Sequence, residues 1–353
     1  MVFAGGGTGG HLYPALAVAQ ALEKRHPGLE VVFIGTGSPF EKRVVEGHGF
    51  RLMRVSSRGF LGRSVFAKAG ALFWTGVGLF ESLRTLWELK PQAVVGVGGF
   101  SSGPVMAAAI LLRIPTMIQE QNYSPGLANR ILARWVDRIA VSFEETREFL
   151  GDRGEVTGNP IRMEFASVKP KPRGTPSCVL IFGGSQGART LNQRVMEALP
   201  LLASHRLALR FVHMTGEKDR ERVEAAYQAE RLEARVVAYL DNMAEEYAKA
   251  DLVIARSGAT TVAEITACQK AALLVPFPHA AADHQRLNAE KLEQSGAARV
   301  IPEKDLSGQR LAKEIEDLLQ NPDRLTAMER AAARLARPDA TVRVAELVEE
   351  LMA

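Results

Sequence analysis

The stretch Gly5-Gly6-Gly7-Thr8-Gly9-Gly10-His11, directly after the apolar run 1–4, decides the fold, because its pattern returns as Gly183-Gly184-Ser185-Gln186-Gly187-Ala188-Arg189 after the apolar run 178–182. Each loop leaves a strand-like run and enters a segment of helical period. A helix start presents unpaired N–H groups and the positive end of the helix dipole, which suits a phosphate. Glycine admits close approach and positive φ in such loops. One loop alone is also compatible with a tight structural turn. Two at equivalent places predict two α/β halves, each built to hold an anion.

Working outward, the runs 31–35, 93–97, 116–119 and 138–141 read as strands of the first half, with helices from His11, Phe40 and Val105. The runs 179–182, 210–214, 235–238, 252–255 and 272–275 repeat the alternation. Alternating β and α elements predict parallel sheets covered on both faces, with ligands at the carboxyl ends of the strands. A division is expected at Gly158-Asn159-Pro160, ahead of the connector Lys169-Pro170-Lys171-Pro172. This gives domains 1–158 and 159–339. The final helical stretch, 340–353, can pack on either half and is assigned to the first.

Composition bounds the answer further. With 353 residues, 46% hydrophobic and 24% charged, the chain suits about two soluble globular domains. Cys178 and Cys268 give neither a metal spacing nor a disulfide framework and read as buried apolar residues in a reducing compartment. No signal-peptide pattern opens the chain, which predicts a protein that stays on the cytoplasmic side. The run 1–4 is short for a first strand, so a native start upstream of Met1 fits equally well. The uncharged stretch 93–112 has the length of a membrane span, but Gly96, Gly98, Gly99, Ser101, Ser102, Gly103 and Pro104 interrupt it. It reads as a strand, a third glycine loop and a buried helix.

Charge is unevenly placed. Between Gly47 and Phe80 there is no acidic residue, while Arg51, Arg54, Arg58, Arg63 and Lys68 accompany Phe60, Leu61, Phe66, Phe73, Trp74 and Phe80. Such an edge suits an anionic membrane surface. The competing reading is a helix packed into the core with a solvated basic flank. Nucleic acid is excluded as a partner for want of any recognition-helix, zinc or aromatic RNA-binding signature.

A nicotinamide dinucleotide enzyme is the obvious rival, since Gly5, Gly7 and Gly10 satisfy its glycine spacing. That fingerprint also wants a carboxylate about 20 residues on, at the end of the second strand. Here the strand runs into Gly35-Thr36-Gly37-Ser38. A diphosphate other than that of NAD is therefore expected at the first loop.

More motifs follow in order: Val97-Gly-Gly-Phe-Ser-Ser-Gly-Pro104, Glu120-Gln-Asn122, Gly158-Asn-Pro-Ile-Arg162, Arg256-Ser-Gly-Ala-Thr-Thr-Val-Ala-Glu264, Pro276-Phe-Pro-His279, Asp283-His-Gln285 and Asn288. Together with Gly5 to His11 and Pro14-Ala-Leu-Ala17, this series resembles the lipid II-building glycosyltransferases of family 28, the MurG family. The resemblance implies a GT-B fold, two doubly wound Rossmann-like domains with parallel sheets facing a cleft. It also implies inverting transfer of N-acetylglucosamine from UDP-GlcNAc to the C4 hydroxyl of the muramoyl sugar of lipid I. A UDP-GlcNAc 2-epimerase, another glycolipid transferase of the fold and a non-enzymatic sugar-nucleotide sensor share the donor residues and stay as alternatives. The basic aromatic edge argues against the epimerase.

What the resemblance implies can be placed residue by residue. Ser185, with Gly184 and Gln186, suits the donor phosphates, and Arg162 neutralises charge as UDP leaves. Glu264 grips the ribose hydroxyls, its competing reading being a favourable acidic residue in a helix's first turns. The run Ala259, Thr260, Thr261, Val262 and Ala263 precedes it in the donor set. Leu240 offers a backbone contact to uracil and Tyr239 a ring against the base. Asn122, His284 and Gln285 suit sugar hydroxyls, with Thr8, Gly9 and Gly10 also in the donor set. His11 is the candidate general base, having a side chain that titrates near neutrality. Glu120 is the competing candidate. Gly7, Gly99, Ser101 and Gly103 are expected at the acceptor diphosphate. Arg63, Lys68, Phe73, Trp74 and Phe80 form the expected membrane patch. No obligatory metal or cofactor is expected, with at most stimulation by a divalent cation. Peripheral attachment to the cytoplasmic face of the bacterial plasma membrane, without a spanning segment, completes the picture, with other cell-wall synthesis proteins as neighbours.

Overall fold

A computed structural model describes residues 1–57, 65–168, 172–184, 186–204 and 207–353, with backbone alone over 65–73. The side chains of Arg58, Phe60, Leu61, Arg63, Phe66, Lys68 and Phe73 fall outside the described residues, as does Ser185. The chain divides into a first unit, Met1–Met163 with Arg337–Ala353, and a second, Glu164–Ala336.

In chain order the first unit runs β1 (Val2–Gly5), α1 (Gly9–Arg25), β2 (Val32–Gly35), α2 (Pro39–Glu46), β3 (Arg51–Arg54), α3 (Val65–Leu89), β4 (Val94–Gly98), α4 (Ser102–Leu111), β5 (Thr116–Glu120), α5 (Leu127–Leu132), β6 (Arg138–Val141) and β7 (Glu155–Val156). The short α6 (Met163–Ala166) carries the chain into β8 (Ser177–Phe182), α7 (Arg189–Ser204), β9 (Leu209–Met214), α8 (Arg220–Ala229), β10 (Glu233–Val237), α9 (Met243–Lys249) and β11 (Leu252–Ala255). Then come α10 (Ala259–Ala267), β12 (Ala272–Leu274), α11 (His284–Gln294), β13 (Ala298–Val300), α12 (Gly308–Leu319), α13 (Pro322–Leu335) and α14 (Ala340–Met352).

Both sheets are parallel throughout, ordered β3-β2-β1-β4-β5-β6-β7 and β10-β9-β8-β11-β12-β13. The order reverses between β1 and β4 in one unit and between β8 and β11 in the other. At such a switch point the adjacent loops diverge to opposite faces and leave a crevice for ligand. The loops after β1 and β8 are the two glycine loops, so their placement follows from topology. Continuous apolar runs such as Val179 to Phe182 make these strands, because both faces are covered.

Three strands were not legible. β3, β7 and β13 are short, each carries charge, and all three lie at sheet edges. Arg51 and Arg54, expected on the basic membrane edge, open and close the edge strand β3 beside β2 and are exposed, with Arg51 3.6 Å from Glu30. The stretch 93–112 resolves into β4, a loop and α4, and among the described residues no helix is long and apolar enough to cross a membrane.

In the first unit α14 packs on α1, burying Val344, Ala345, Leu347 and Val348. Thr341 at its start accepts from the Ile161 N–H (3.1 Å) and donates to the Ile161 carbonyl (2.7 Å). This pair fixes the chain immediately before Arg162. Thr341→Val removes both bonds and strands buried backbone groups. The expected loss is about 1–3 kcal/mol, measured as a lower urea midpoint of the first unit's unfolding; an unchanged midpoint would mean that the Thr341 hydroxyl does not hold this junction.

Candidate active site

The first glycine loop is held from beneath by a residue outside it. Glu41, fully buried on α2, accepts from the Gly7 N–H (2.8 Å), the Thr36 hydroxyl (2.9 Å) and the Ser38 N–H (3.0 Å). The Gly7 N–H is therefore committed to a carboxylate. Gly7 was expected to bind the acceptor diphosphate; its N–H is turned inward instead. Glu41 also refines the argument against NAD: a carboxylate does reach the end of β2, but it is shut off from solvent and bonded to protein donors.

His11 stands at the third position of α1 with its Nδ1 3.1 Å from the Gly6 carbonyl and 3.2 Å from the Thr8 hydroxyl. A carbonyl oxygen only accepts, so the Gly6 contact is a hydrogen bond when Nδ1 carries the proton, with Nε2 then the basic nitrogen. The ring lies over Gly98: a β-carbon there would sit 3.1 Å from Cδ2 and 3.2 Å from Nε2. Gly99 lies against the Gly6 backbone with φ +84°, a place and a conformation open to glycine alone.

Ser101 and Ser102 open α4 fully buried, and their hydroxyls, with Asn129 Oδ1, have no protein partner. Buried polar atoms of this kind mark places where water or ligand completes the bonding. Gly103 follows them in the first turn of α4.

Glu120, the competing base, ends β5 and is 2% exposed. It accepts from Asn122 N–H (3.0 Å), Asn122 Nδ2 (3.2 Å), Gly126 N–H (3.0 Å) and Asn129 Nδ2 (2.8 Å). Four donors on two oxygens make it the organiser of the loop 121–129, with no direction left for an incoming hydroxyl. Asn122 and Arg162, expected with the donor, both belong to the first unit. The Arg162 guanidinium lies 5.6 Å from the Tyr13 ring centre.

In the second unit the loop 183–188 turns through Gly184 and Gly187, and the Gly187 N–H donates to the Gly184 carbonyl (2.9 Å). A β-carbon on Gly187 would fall on the Thr215 carbonyl. Asn192 in α7 secures that carbonyl, donating to it and to Asp219 Oδ2, both at 2.9 Å. Its own oxygen accepts from His213 Nε2 (3.1 Å), and His213 Nδ1 accepts from the Tyr227 hydroxyl (3.3 Å). Every direction in this chain is forced by its ends. Burial drives the His213 pKa from 6.5 down to about 3, with a smaller opposing effect of Asp219.

Leu240 is buried, its N–H directed at Met214 Sδ (3.3 Å), a weak acceptor. Tyr239 is 45% exposed, so it is no strand-end core residue. Gly258 caps α10, leaving the first N–H groups from Ala259, Thr260 and Thr261 at the helix start. Val262, expected in the donor set, is buried and its N–H already bonds Gly258, while Ala263 follows within the helix. Glu264 lies in the second turn of α10 rather than at its head, and Tyr247 donates to it (3.4 Å). This removes the helix-dipole reading of its charge.

Gln285 in α11 accepts from the Phe277 N–H (3.0 Å) through Oε1, and its carbonyl accepts from Ser257 (2.7 Å). Buried Arg256 donates to the carbonyls of Val275 and Pro276 (both 3.1 Å) and pairs with Glu303, fixing the same loop. His284 Nδ1 donates to the Ala281 carbonyl (2.7 Å). Just before it Ala282 and Asp283 both hold left-handed backbone, φ +50° and +55°. Such strain in residues with side chains, of order 1–3 kcal/mol each, gathers at functional loops. Among the described residues no group of three His, Cys, Asp or Glu side chains is placed to hold a metal.

Two family models match the chain. The glycosyltransferase family 28 N-terminal domain matches residues 1–141, and the family 28 C-terminal domain matches 178–344. A protein of Myxococcus xanthus, named UDP-N-acetylglucosamine--N-acetylmuramyl-(pentapeptide) pyrophosphoryl-undecaprenol N-acetylglucosamine transferase, is 44% identical over all of this chain and 93% of its own length. The chain belongs to glycosyltransferase family 28. A family 28 relative of the same name from Anaeromyxobacter is 46% identical over the same shares. The crystal structure of MurG from Acinetobacter baumannii superposes with a TM-score of 0.79 at 32% identity, over 99% of this chain and 98% of that one. UDP-GlcNAc 2-epimerase from Neisseria meningitidis, at 12% identity and TM-score 0.68 over 99% and 98%, shares the fold alone.

In this family 28 chain the residues nearest the loops that were not foreseen are Glu41, Asn129, Asn192, His213 and Glu303. Only Glu41 left a local signal: Ser38-Pro39-Phe40-Glu41 is a capping box, and both of its bonds form. The others meet across sheet and helix, beyond any local pattern.

His213 yields a pH prediction. Below pH 6.5 the unfolded chain binds a proton that the folded chain refuses down to about pH 3, so this contribution is complete above 6.5 and falls by about 1.4 kcal/mol per pH unit below it. Between pH 7 and pH 5 the wild type should lose about 2 kcal/mol more than His213→Gln. Parallel pH profiles in chemical denaturation would show that His213 is not held neutral.

Proposed function

We propose that this chain transfers N-acetylglucosamine from UDP-GlcNAc to the muramoyl sugar of lipid I, giving lipid II. The observation that carries this is 44–46% identity over its whole length to transferases bearing that name. The phosphate loop at the switch point of each unit supports it, one suited to each diphosphate substrate.

The acceptor C4 oxygen attacks C1 of the GlcNAc from the face opposite UDP. As that C–O bond forms, His11 Nε2 takes the hydroxyl proton; as the C1–oxygen bond breaks, UDP leaves with the electron pair. Direct displacement inverts the anomeric centre. The N–H groups at the start of α7 suit the developing phosphate charge, and Arg162 is assigned its neutralisation. Glu264 takes the ribose hydroxyls, Leu240 and Tyr239 the base, and Gln285 and His284 the sugar. The acceptor diphosphate falls to Gly99, Gly103 and the Ser101 hydroxyl. The proposal assigns no step to a metal, with a divalent cation at most stimulatory.

We further propose peripheral attachment to an anionic membrane surface through α3. Leu79, Leu83 and Leu86 turn one stripe of the helix to the core. Phe80, 72% exposed, and Trp87, 69% exposed, lie seven positions apart with exposed Arg84 between them. Trp74 is half-buried. The helix thus carries a core face and an exposed aromatic face at once, with Arg84 paired to Glu88 (2.9 Å) between the rings, and we propose other cell-wall synthesis proteins as neighbours at that surface.

Transfer of labelled GlcNAc to a short-chain lipid I analogue, with UDP release followed in parallel, tests the reaction. Acceptor-dependent disaccharide is expected; conversion of the donor to UDP-ManNAc would move the assignment to an epimerase. His11→Ala should keep UDP-GlcNAc affinity and lose at least about 100-fold in kcat, whereas near-normal turnover would exclude it as base. Phe80→Ser with Trp87→Ser should weaken binding to anionic vesicles roughly tenfold or more; equal partitioning of variant and wild type would place the membrane contact elsewhere.

A further inference from the structure

We propose that Glu41 is a positioning residue for His11, acting through the single peptide that joins Gly6 to Gly7. The proposal rests on the reading of His11 as general base.

The Gly7 N–H that donates to Glu41 Oε1 (2.8 Å) and the Gly6 carbonyl that faces His11 Nδ1 (3.1 Å) are the two ends of one amide. In a planar trans peptide these groups point in opposite directions. The bonds therefore run in series from carboxylate to amide to imidazole. Each polarises the next, by about 10–30% per bond. The carboxylate meets donors only, and the carbonyl can only accept. The series is therefore complete in the tautomer with the proton on Nδ1, which leaves Nε2 as the atom that receives one.

When Nε2 takes the acceptor's proton, the ring becomes positive. Nδ1 keeps its own proton, because the amide has no site to take it, and the oriented amide with Glu41 behind it stabilises the charge. A carboxylate bonded directly to a catalytic histidine does the same in serine hydrolases. Here the peptide is interposed, and a glycine is what allows it: a β-carbon on Gly6 would fall on Glu41 Oε1. The Thr36 hydroxyl and Ser38 N–H hold Oε2, so the carboxylate cannot rotate away.

Capping α2 is the other duty of Glu41, through the bond from the Ser38 N–H. That duty calls for no bond to Gly7 and predicts no coupling to His11. A double-mutant cycle separates the two. In full-length protein Glu41→Gln should lower kcat for GlcNAc transfer about tenfold with UDP-GlcNAc affinity unchanged. In the His11→Ala background the same change should cost less than about twofold. Ring-nitrogen NMR shifts of 15N-histidine-labelled protein, with His11 assigned by its loss in His11→Ala, should report the Nδ1–H tautomer in the wild type and a lower share of it in Glu41→Gln.

An Nε2–H tautomer in the wild type overturns the proposal without any variant at position 41, which keeps the test decisive if Glu41→Gln does not fold. An equal cost of Glu41→Gln in both backgrounds also overturns it. Near-normal turnover of His11→Ala would instead remove the base reading itself, a result distinct from either.

Discussion

Backbone against backbone at the reversal of strand order is the contact on which the first unit depends. The Gly6 N–H donates to the Gly98 carbonyl (3.3 Å), and Gly99 lies on Gly6. Two strand-to-helix loops thereby meet without intervening side chains. Neighbouring side chains take their position from this meeting. His11 lies over Gly98, and the Gln121 amide donates to the Val97 carbonyl (2.9 Å). Side chains in place of these glycines would part the loops and displace the imidazole, since interiors packed this closely have no slack.

The second unit meets the same demand differently. Its loop closes on the Thr215 carbonyl, and that carbonyl is held by Asn192, which His213 and Tyr227 hold in turn. A buried polar network of this kind is stable only if every member is satisfied. Here the ends are a tyrosine hydroxyl that donates and an Asp219 carboxylate that accepts, so one pattern of hydrogens satisfies the chain. In the first unit carboxylates act from below the loops: Glu41 and Glu120 spend their charge on backbone and amide N–H groups. Negative charge is thereby placed to orient donors rather than to meet a phosphate directly.

α3 illustrates how one helix reconciles two readings of the same residues. Apolar residues at 79, 83 and 86 recur at the period that buries a stripe, while 80, 84 and 87 recur on the outside. An aromatic, leucine-rich segment is compatible with either a core helix or a surface one until the neighbouring sheet decides which face it covers.

Much was legible in the sequence, and for physical reasons. Glycine loops are local: a strand, a turn needing positive φ and a helix start are contiguous, so their anion-binding geometry is written in adjacent residues. Parallel sheets bury both faces of a strand, so β8 and β11 appear as apolar runs, whereas the edge strand β3, Arg51–Arg54, carries charge and no such run. The tertiary structure alone decided what the polar residues do. It turned the Gly7 N–H inward to Glu41, committed Glu120 to four donors, placed Glu264 in a second helical turn, and joined His213 to Asn192. Each of these results from a meeting between segments distant in the chain, and hydrogen-bond partners chosen by three-dimensional proximity leave no period or spacing in the sequence to be read.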